Sequence, residues 1–129
     1  MKLNSSTLVD GSGLSRKNYV SADFFVRFLR KMYRGKVRRA FVDSLPIPGR
    51  KGTLQNRMNG VPDDVRSRIR MKSGSMNGVR CFSGYILPAP GEKDDRTVVF
   101  SILTNNIPGN SSTVFAILDE IILSLAAEE

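Results

Sequence analysis

Hydrophobic and polar residues alternate over Arg68–Lys72, and this period of two predicts a strand with one buried and one solvent-facing side. Apolar and β-favouring residues resume from Val79 to Leu87, directly after Asn77-Gly78, the dipeptide most typical of a tight hairpin turn. A β-branched, mostly apolar run from Thr97 to Leu103 predicts a third strand in a buried position of the sheet. The pattern therefore predicts a three-stranded antiparallel meander.

The segments before these strands show helical spacing instead. Ser21 is a candidate N-cap, Gly35 a candidate stop, and apolar residues recur between them every three or four positions. A second, short helix is predicted from Val37 to Ser44, and a single helical turn from Thr53 to Met58. The apolar positions are Phe25, Phe28, Leu29, Met32 and Tyr33 in the first helix and Val37, Ala40 and Phe41 in the second.

A last helix is predicted to begin at Ser111 or Ser112, with a wide apolar stripe that packs against the sheet. We therefore predict an α+β fold with N-terminal helices, a three-stranded antiparallel meander and a covering C-terminal helix, in a single domain over residues 1–129. The stretch from Leu45 to Pro62 is expected to be the least ordered. The stripe consists of Val114, Ile117, Leu118, Ile121, Ile122 and Leu125.

Charge and composition limit the classes of function that this chain can have. The net charge is +8, with 17 Lys/Arg against 5 Asp/Glu up to Lys72 and 3 against 7 afterwards. A basic half raises the alternative of nucleic-acid binding, but the cations are scattered along amphipathic elements, which is more typical of a solvated surface. No histidine and a single cysteine, Cys81, exclude serine–histidine and cysteine–histidine pairs and leave zinc without its usual ligands. We expect no metal, no cofactor and no nucleic-acid partner.

The N-terminal stretch carries no targeting pattern. Met1–Ser6 lacks an apolar run after its lysine, so no signal peptide is predicted, and the apolar stretches elsewhere are too short to span a membrane. The glycine- and serine-rich turn Asp10–Arg16 does not match the spacing of a phosphate-binding loop. The role of this turn stays open.

Candidate chemistry lies where the first strand runs into Lys72-Ser73-Gly74. Lysine supplies a positive charge and serine a hydroxyl donor, and both suit a carboxylate ligand. Glycine lacks the Cβ that would keep a second backbone away from the strand. The motif therefore predicts a strand that binds an anionic, extended ligand.

Several short motifs follow one another in a fixed order along the sequence. They are Asp10–Arg16, Ser44-Leu45-Pro46 with Gly49, Gly52–Arg57, Lys72–Ser75 with Gly78-Val79, and Ser83-Gly84-Tyr85. In this order they resemble the C-terminal part of the penicillin-binding D-alanyl-D-alanine carboxypeptidase/endopeptidase family. The resemblance covers Leu8 to about Leu125 and implies a partial β-lactamase/transpeptidase-like domain.

The resemblance implies a role for each residue of the strand, since Lys72-Ser73-Gly74 matches the family's K-T-G motif in its K-S-G form. Lys72 would bind the substrate carboxylate and help hold the proton relay in its working state. Ser73 would donate to the same carboxylate, and Gly74 would let the substrate lie against the strand. The backbone N–H of Ser75 would form half of the oxyanion hole.

Two motifs of the family are absent from the sequence. No lysine has a serine three residues before it, so the nucleophile motif S-x-x-K is missing, and the one S-x-N match, Ser75-Met76-Asn77, belongs to the hairpin. A serine without a neighbouring base is a poor nucleophile. We therefore expect a C-terminal segment of a serine-type D-Ala-D-Ala carboxypeptidase that has no nucleophile of its own and is inactive alone.

The expected partners follow from the resemblance. They are peptidoglycan stem peptides, β-lactams and the N-terminal part of the catalytic domain, and the expected location is the periplasm or cell envelope. Two alternatives remain: a non-catalytic fragment that binds D-Ala-D-Ala ends or β-lactams weakly, and a basic nucleic-acid-binding module.

Overall fold

The computed structural model describes residues 6–109 and 112–127, and it confirms the α+β class predicted from the sequence. The helices α1, α2 and α3 precede the strands β1, β2 and β3, and the helix α4 follows them. In chain order the elements are α1 Ala22–Arg34, α2 Arg38–Ser44, α3 Asp63–Arg66, β1 Ile69–Met76, β2 Val79–Ile86, β3 Val98–Thr104 and α4 Ser112–Ala127, with a short 3₁₀ turn at Asp94–Arg96 before β3.

The three strands form the predicted antiparallel meander in the order β1-β2-β3. Met76 pairs with Val79 across Asn77-Gly78, and Gly78 adopts a φ of +73°, which a tight hairpin turn requires and which glycine allows without strain. β3 was predicted to be buried within the sheet. In the described part of the chain it is instead an edge strand, and six of its seven residues are only half-buried, with Phe100 the buried one.

One face of the sheet is covered by α4, and the predicted apolar stripe is correct in part. Val114, Leu118, Ile122 and Leu125 pack into this layer, whereas Ile117 and Ile121 lie on the side of the helix turned away from it and are 50% and 42% exposed. Leu118 and Ile122 of α4 pack against Ile69, Met71 and neighbouring side chains of the strands. Burying large apolar side chains stabilises a fold by about 1.5–3 kcal/mol each, so this layer is the main core. Its buried members are Leu54, Met58, Ile69, Met71, Phe82, Ile86, Phe100, Leu118, Ile122 and Ala126.

The opposite face is covered by α1 and α2, which meet the sheet around Tyr85. The hydroxyl of Tyr85 donates a hydrogen bond of 2.7 Å to the carbonyl of Leu29, and burial raises the pKa of Tyr85 to about 12. α1 has the predicted ends: the Ser21 side chain accepts from the N–H of Phe24, and Gly35 is the C-cap.

The predicted buried side of α2 is wrong in part. α2 begins at Arg38 with Val37 as its N-cap, so Val37 lies outside the helix and is 56% exposed, and Ala40 is also exposed. Val42 is the buried residue instead, with Phe41 packed beside it. The short length of α2 explains the error, because two turns define no clear helical period.

The stretch between α2 and α3 is not the loose segment that its sequence suggests. Thr53–Met58 forms successive turns and no helix, which corrects the predicted helical turn. Leu54 and Met58 are nevertheless buried in the main core, at 2% and 8% exposure. Of the two predicted caps of α4, Ser111 lies outside the described residues and Ser112 is the first residue of the helix. None of the helices within residues 6–109 and 112–127 is both long and apolar enough to cross a lipid bilayer.

Candidate functional site

The residues predicted to bind a ligand all lie in the second half of β1, on the edge of the sheet. Lys72, Gly74 and Ser75 are exposed and Ser73 is half-buried, whereas Ile69 and Met71 at the start of the same strand are fully buried. The strand therefore carries a buried anchor and an exposed segment in one continuous stretch.

The hydrogen-bond pattern of β1 shows which backbone groups face outward. In an antiparallel pair, residues alternate between those that bond to the partner strand and those whose N–H and C=O point away from it. Arg68 belongs to the first set, because its carbonyl accepts from the N–H of Leu87 at 2.9 Å. Met71 belongs to the second, because its N–H donates outward to the carbonyl of Pro46 at 3.0 Å. By the same alternation, the N–H and C=O groups of Ser73 and Ser75 point out from the edge.

The side chains of the motif divide between the two faces of the sheet. Lys72 lies on the face of Arg70 and Gly74, and Ser73 and Ser75 lie on the face that α4 covers. The Lys72 ammonium nevertheless returns to the edge, where Nζ donates to the carbonyl of Ser73. The structure thus brings the lysine charge and the outward backbone groups together at one place, although the two side chains leave the strand on opposite sides.

Gly74 is a glycine that the fold itself does not require. A Cβ built at this position would lie 3.6 Å from the Cβ of Cys81, which is ordinary van der Waals contact, and its φ is not in the left-handed region. Gly84, which pairs with Met71 in the neighbouring strand, is different: a Cβ there would lie 2.0 Å from the carbonyl oxygen of Arg70. Space above Gly74 is therefore available to something outside the described chain.

Cationic side chains surround the exposed half of β1, and the sequence reading did not assign them to the site. Arg80 pairs with Ser75 across the hairpin, and the guanidinium carbons of Arg57 and Arg80 lie 4.3 Å and 5.2 Å from the ring centre of Phe115. On the other face, burial and the neighbouring Arg50 lower the pKa of Arg70. Positive charge on both faces favours an anionic ligand at the edge.

Arg57 is fixed by α4. Its Nη2 donates to the carbonyl of Phe115 at 3.0 Å and to the Asp119 carboxylate. Both side chains are about four-fifths buried, and burial raises the pKa of Asp119 while Arg57 opposes that rise. Sequence could not have found this pair, because 62 residues separate its members.

The turn Asp10–Arg16 is organised by its own first residue. The Asp10 carboxylate accepts from the N–H groups of Gly13 and Ser15, each at 3.1 Å, and from the side chain of Asn18 at 2.9 Å. These hydrogen bonds, that of Asn18 above all, hold the pKa of Asp10 below its usual range. The amides that a phosphate would need are thus already used by the chain's own carboxylate.

Solved structures with this fold exist. The chain is similar to penicillin binding protein 4 (dacB) from Haemophilus influenzae, with a TM-score of 0.80 and 24% identity over 95% of this chain and 29% of that protein in its complex with a novel β-lactam. A second structure of the same protein gives a TM-score of 0.78. The chain therefore has the fold of the corresponding part of these structures.

Sequence relatives define the family. The chain is 36% identical over 124 residues to the D-alanyl-D-alanine carboxypeptidase of Actinomadura sp. (strain R39) and 34% identical over 123 residues to penicillin-sensitive carboxypeptidase A of Dictyostelium discoideum. It covers 21% and 23% of the length of these two relatives, while each match spans 92% of this chain. The chain belongs to the D-Ala-D-Ala carboxypeptidase 3 (S13) family, whose model matches residues 1–123, and this confirms the resemblance seen in the sequence.

Proposed function

We propose that this chain supplies the K-S-G substrate-binding strand of a serine-type D-Ala-D-Ala carboxypeptidase/endopeptidase that acts on peptidoglycan stem peptides. The observation that carries the proposal is the exposed edge of β1, where Ser73 and Ser75 present their backbone groups beside the Lys72 ammonium. Family membership supplies the reaction class, and the charged edge supplies a place for the substrate.

Each residue of the strand has a physical task in this proposal. Lys72 attracts the terminal carboxylate of the substrate, and the Ser73 hydroxyl donates a hydrogen bond to it. The substrate backbone pairs with the open edge as an added strand, and the bare Cα of Gly74 lets it approach closely. The N–H of Ser75 donates to the carbonyl oxygen of the scissile bond, where negative charge develops during acyl transfer.

The nucleophile belongs to another part of the enzyme. A serine outside this sequence attacks the scissile carbonyl, the terminal D-alanine leaves with its amine, and water then hydrolyses the acyl-enzyme. Lys72 contributes positive charge to the proton relay in this scheme. The chain alone is inactive, binds D-Ala-D-Ala ends and β-lactams through the β1 edge, and works with the N-terminal part of the domain in the periplasm or cell envelope.

Backbone NMR tests the binding role. N-acetyl-D-Ala-D-Ala added to the labelled chain is expected to shift the amide signals of Ser73, Gly74 and Ser75. Lys72→Ala is expected to weaken this binding by about tenfold, because a charge-assisted hydrogen bond contributes roughly 1.5–3 kcal/mol. Lys93→Ala, which removes an equal charge far from β1, is the matched control and leaves the affinity unchanged. Unshifted amides in the wild-type chain would refute the binding role.

Intact-mass spectrometry tests the assignment of the nucleophile. The chain incubated with a labelled penicillin is expected to keep its mass, since no S-x-x-K motif is present. A gain of one acyl group would show that a competent serine exists in this sequence, and mapping the adduct would then identify it.

A further inference from the structure

The exposed edge of β1 is open over only part of its length. Two outward backbone groups of this edge already have partners within the chain. The N–H of Met71 donates to the carbonyl of Pro46 at 3.0 Å, and the carbonyl of Ser73 accepts from Lys72 Nζ. Strand residues rise by about 3.3 Å, so the closed point at Met71 lies roughly 13 Å along the edge from Ser75.

The segment that closes the edge is held at both of its ends. On one side α2 ends at Ser44, whose hydroxyl donates to the carbonyl of Phe41 at 2.7 Å, and Leu45 is extended (φ −79°, ψ 134°), as a residue before proline prefers. On the other side Pro48 is buried, and the N–H of Gly49 donates to the carbonyl of Leu54 at 3.0 Å. Displacing this segment would therefore disturb packed structure.

We propose that the segment Leu45–Ile47 acts as a stop at the end of the β1 edge, so that a bound ligand strand has to end before it reaches Met71. The inference rests on the proposed function, which places the scissile carbonyl at the N–H of Ser75 and the terminal carboxylate at Lys72 and Ser73.

Ligand length follows from the order of these groups along the strand. A ligand residue whose carbonyl meets Ser75 is followed by a residue that runs toward Ser73. A chain that continues pairs next with Ser73 and then meets Pro46, whose carbonyl already holds the N–H of Met71. The stop therefore disfavours ligands whose main chain continues as far as Met71.

Binding of three ligands distinguishes the effect of the stop from the effect of the carboxylate contact. These are N-acetyl-D-Ala-D-Ala, its C-terminal amide, and the same amide extended by three glycines, each titrated into the 129-residue chain with the Ser73 and Ser75 amide signals as readout. An open edge would bind the extended amide more tightly than the short amide, because extra residues would add strand pairing. The stop predicts the reverse, with the extended amide bound at least about threefold more weakly, or roughly 0.7 kcal/mol.

Variants locate the effect in the segment. Pro46→Gly loosens the stop and is expected to remove the difference between the two amides, whereas Pro90→Gly, in an exposed turn away from β1, is expected to keep it. Amide hydrogen exchange of the unmodified chain gives a ligand-free readout: the Met71 amide exchanges at least about tenfold more slowly than those of Ser73 and Ser75.

The outcomes are distinct. Equal or tighter binding of the extended amide to the wild-type chain, or equal exchange of the Met71, Ser73 and Ser75 amides, overturns the stop and leaves the proposed function intact. Unshifted signals with the free dipeptide overturn the proposed function and the stop with it. Weaker binding of the extended amide that persists in Pro46→Gly overturns the assignment to this segment, and so does its loss in both Pro46→Gly and Pro90→Gly.

Discussion

The two halves of β1 differ in what they serve, although they form one strand of eight residues. Ile69 and Met71 are fully buried against α4, and the outward N–H of Met71 is bonded to Pro46. From Lys72 to Met76 the side chains are exposed or half-buried, and the backbone groups of Ser73 and Ser75 face outward. One half holds the sheet in place, and the other, under the proposed function, presents its backbone to a ligand.

The glycines of the hairpin show the same division. Gly84 faces Met71, and the close approach of the two strands leaves no space for a side chain there. Gly74 faces Cys81 with space to spare. In the buried half, the packing of the two strands therefore requires a glycine at position 84. In the exposed half, under the proposed function, it is the close approach of the ligand that requires a glycine at position 74.

The largest expected effect comes from Gly84→Ala. Its Cβ would meet the backbone of Arg70 at 2.0 Å and of Met71 at 2.7 Å, and backbone atoms cannot move aside as a flexible side chain can. Overpacking costs typically about 1–3 kcal/mol and sometimes more, and we expect more than about 3 kcal/mol here. Gly74→Ala is the matched control, with an expected change in unfolding free energy below about 1 kcal/mol. Equal losses in urea denaturation would remove the distinction between the two halves.

A smaller effect is expected from truncating methionine at either end of the strand. Met71→Ala removes a fully buried side chain and is expected to lower the free energy of unfolding by about 2–3 kcal/mol. Met76→Ala makes the same chemical change in the exposed half, where the side chain is only half-buried, and is expected to cost less than about 1 kcal/mol. Similar denaturation midpoints for the two variants would contradict the buried-anchor assignment.

The smallest of these effects is pH-dependent and involves the α4 side of the exposed half. Burial raises the pKa of Asp119 above its ordinary value of 3.8, so the folded chain holds this proton more tightly than the unfolded chain. The contribution of Asp119 to stability is therefore full below pH 3.8 and is lost as the pH rises through the folded pKa.

Comparison with Asp119→Asn measures that contribution. The stability of the wild-type chain relative to Asp119→Asn is expected to fall as the pH rises from 3 toward 7. Arg57→Met removes the cation that opposes the shift, so it is expected to carry the loss to higher pH. A flat difference across this range would show that burial does not control the carboxyl group.

Local signals in the sequence predicted most of the fold. The Ser21 and Gly35 ends of α1 and the Asn77-Gly78 turn depend on neighbouring residues, and each has the predicted role. The α4 stripe packs on the sheet as predicted except for Ile117 and Ile121, which are exposed. Lys72, Ser73 and Ser75 lie at an edge of the sheet, and their role in ligand binding stays a prediction.

Contacts between segments that are distant in the chain could not be predicted from the sequence. Leu54 and Met58 enter the core from a stretch with no helical or strand period, and Arg57 between them reaches Asp119 on α4. The bond from Met71 to Pro46 joins residues whose proximity depends on the whole domain. Patterns within one segment carry no information about such partners, because only the folded chain brings them together.

The fit of Gly74 has a consequence for how this family can change over time. Since a Cβ at that position meets only ordinary van der Waals contact, Gly74→Ala is expected to leave the melting temperature nearly unaltered even where, under the proposed function, it prevents ligand binding. Selection for a stable fold alone would then not remove such a mutation. Under the proposed function, a melting curve cannot tell a chain that binds the ligand from one that does not.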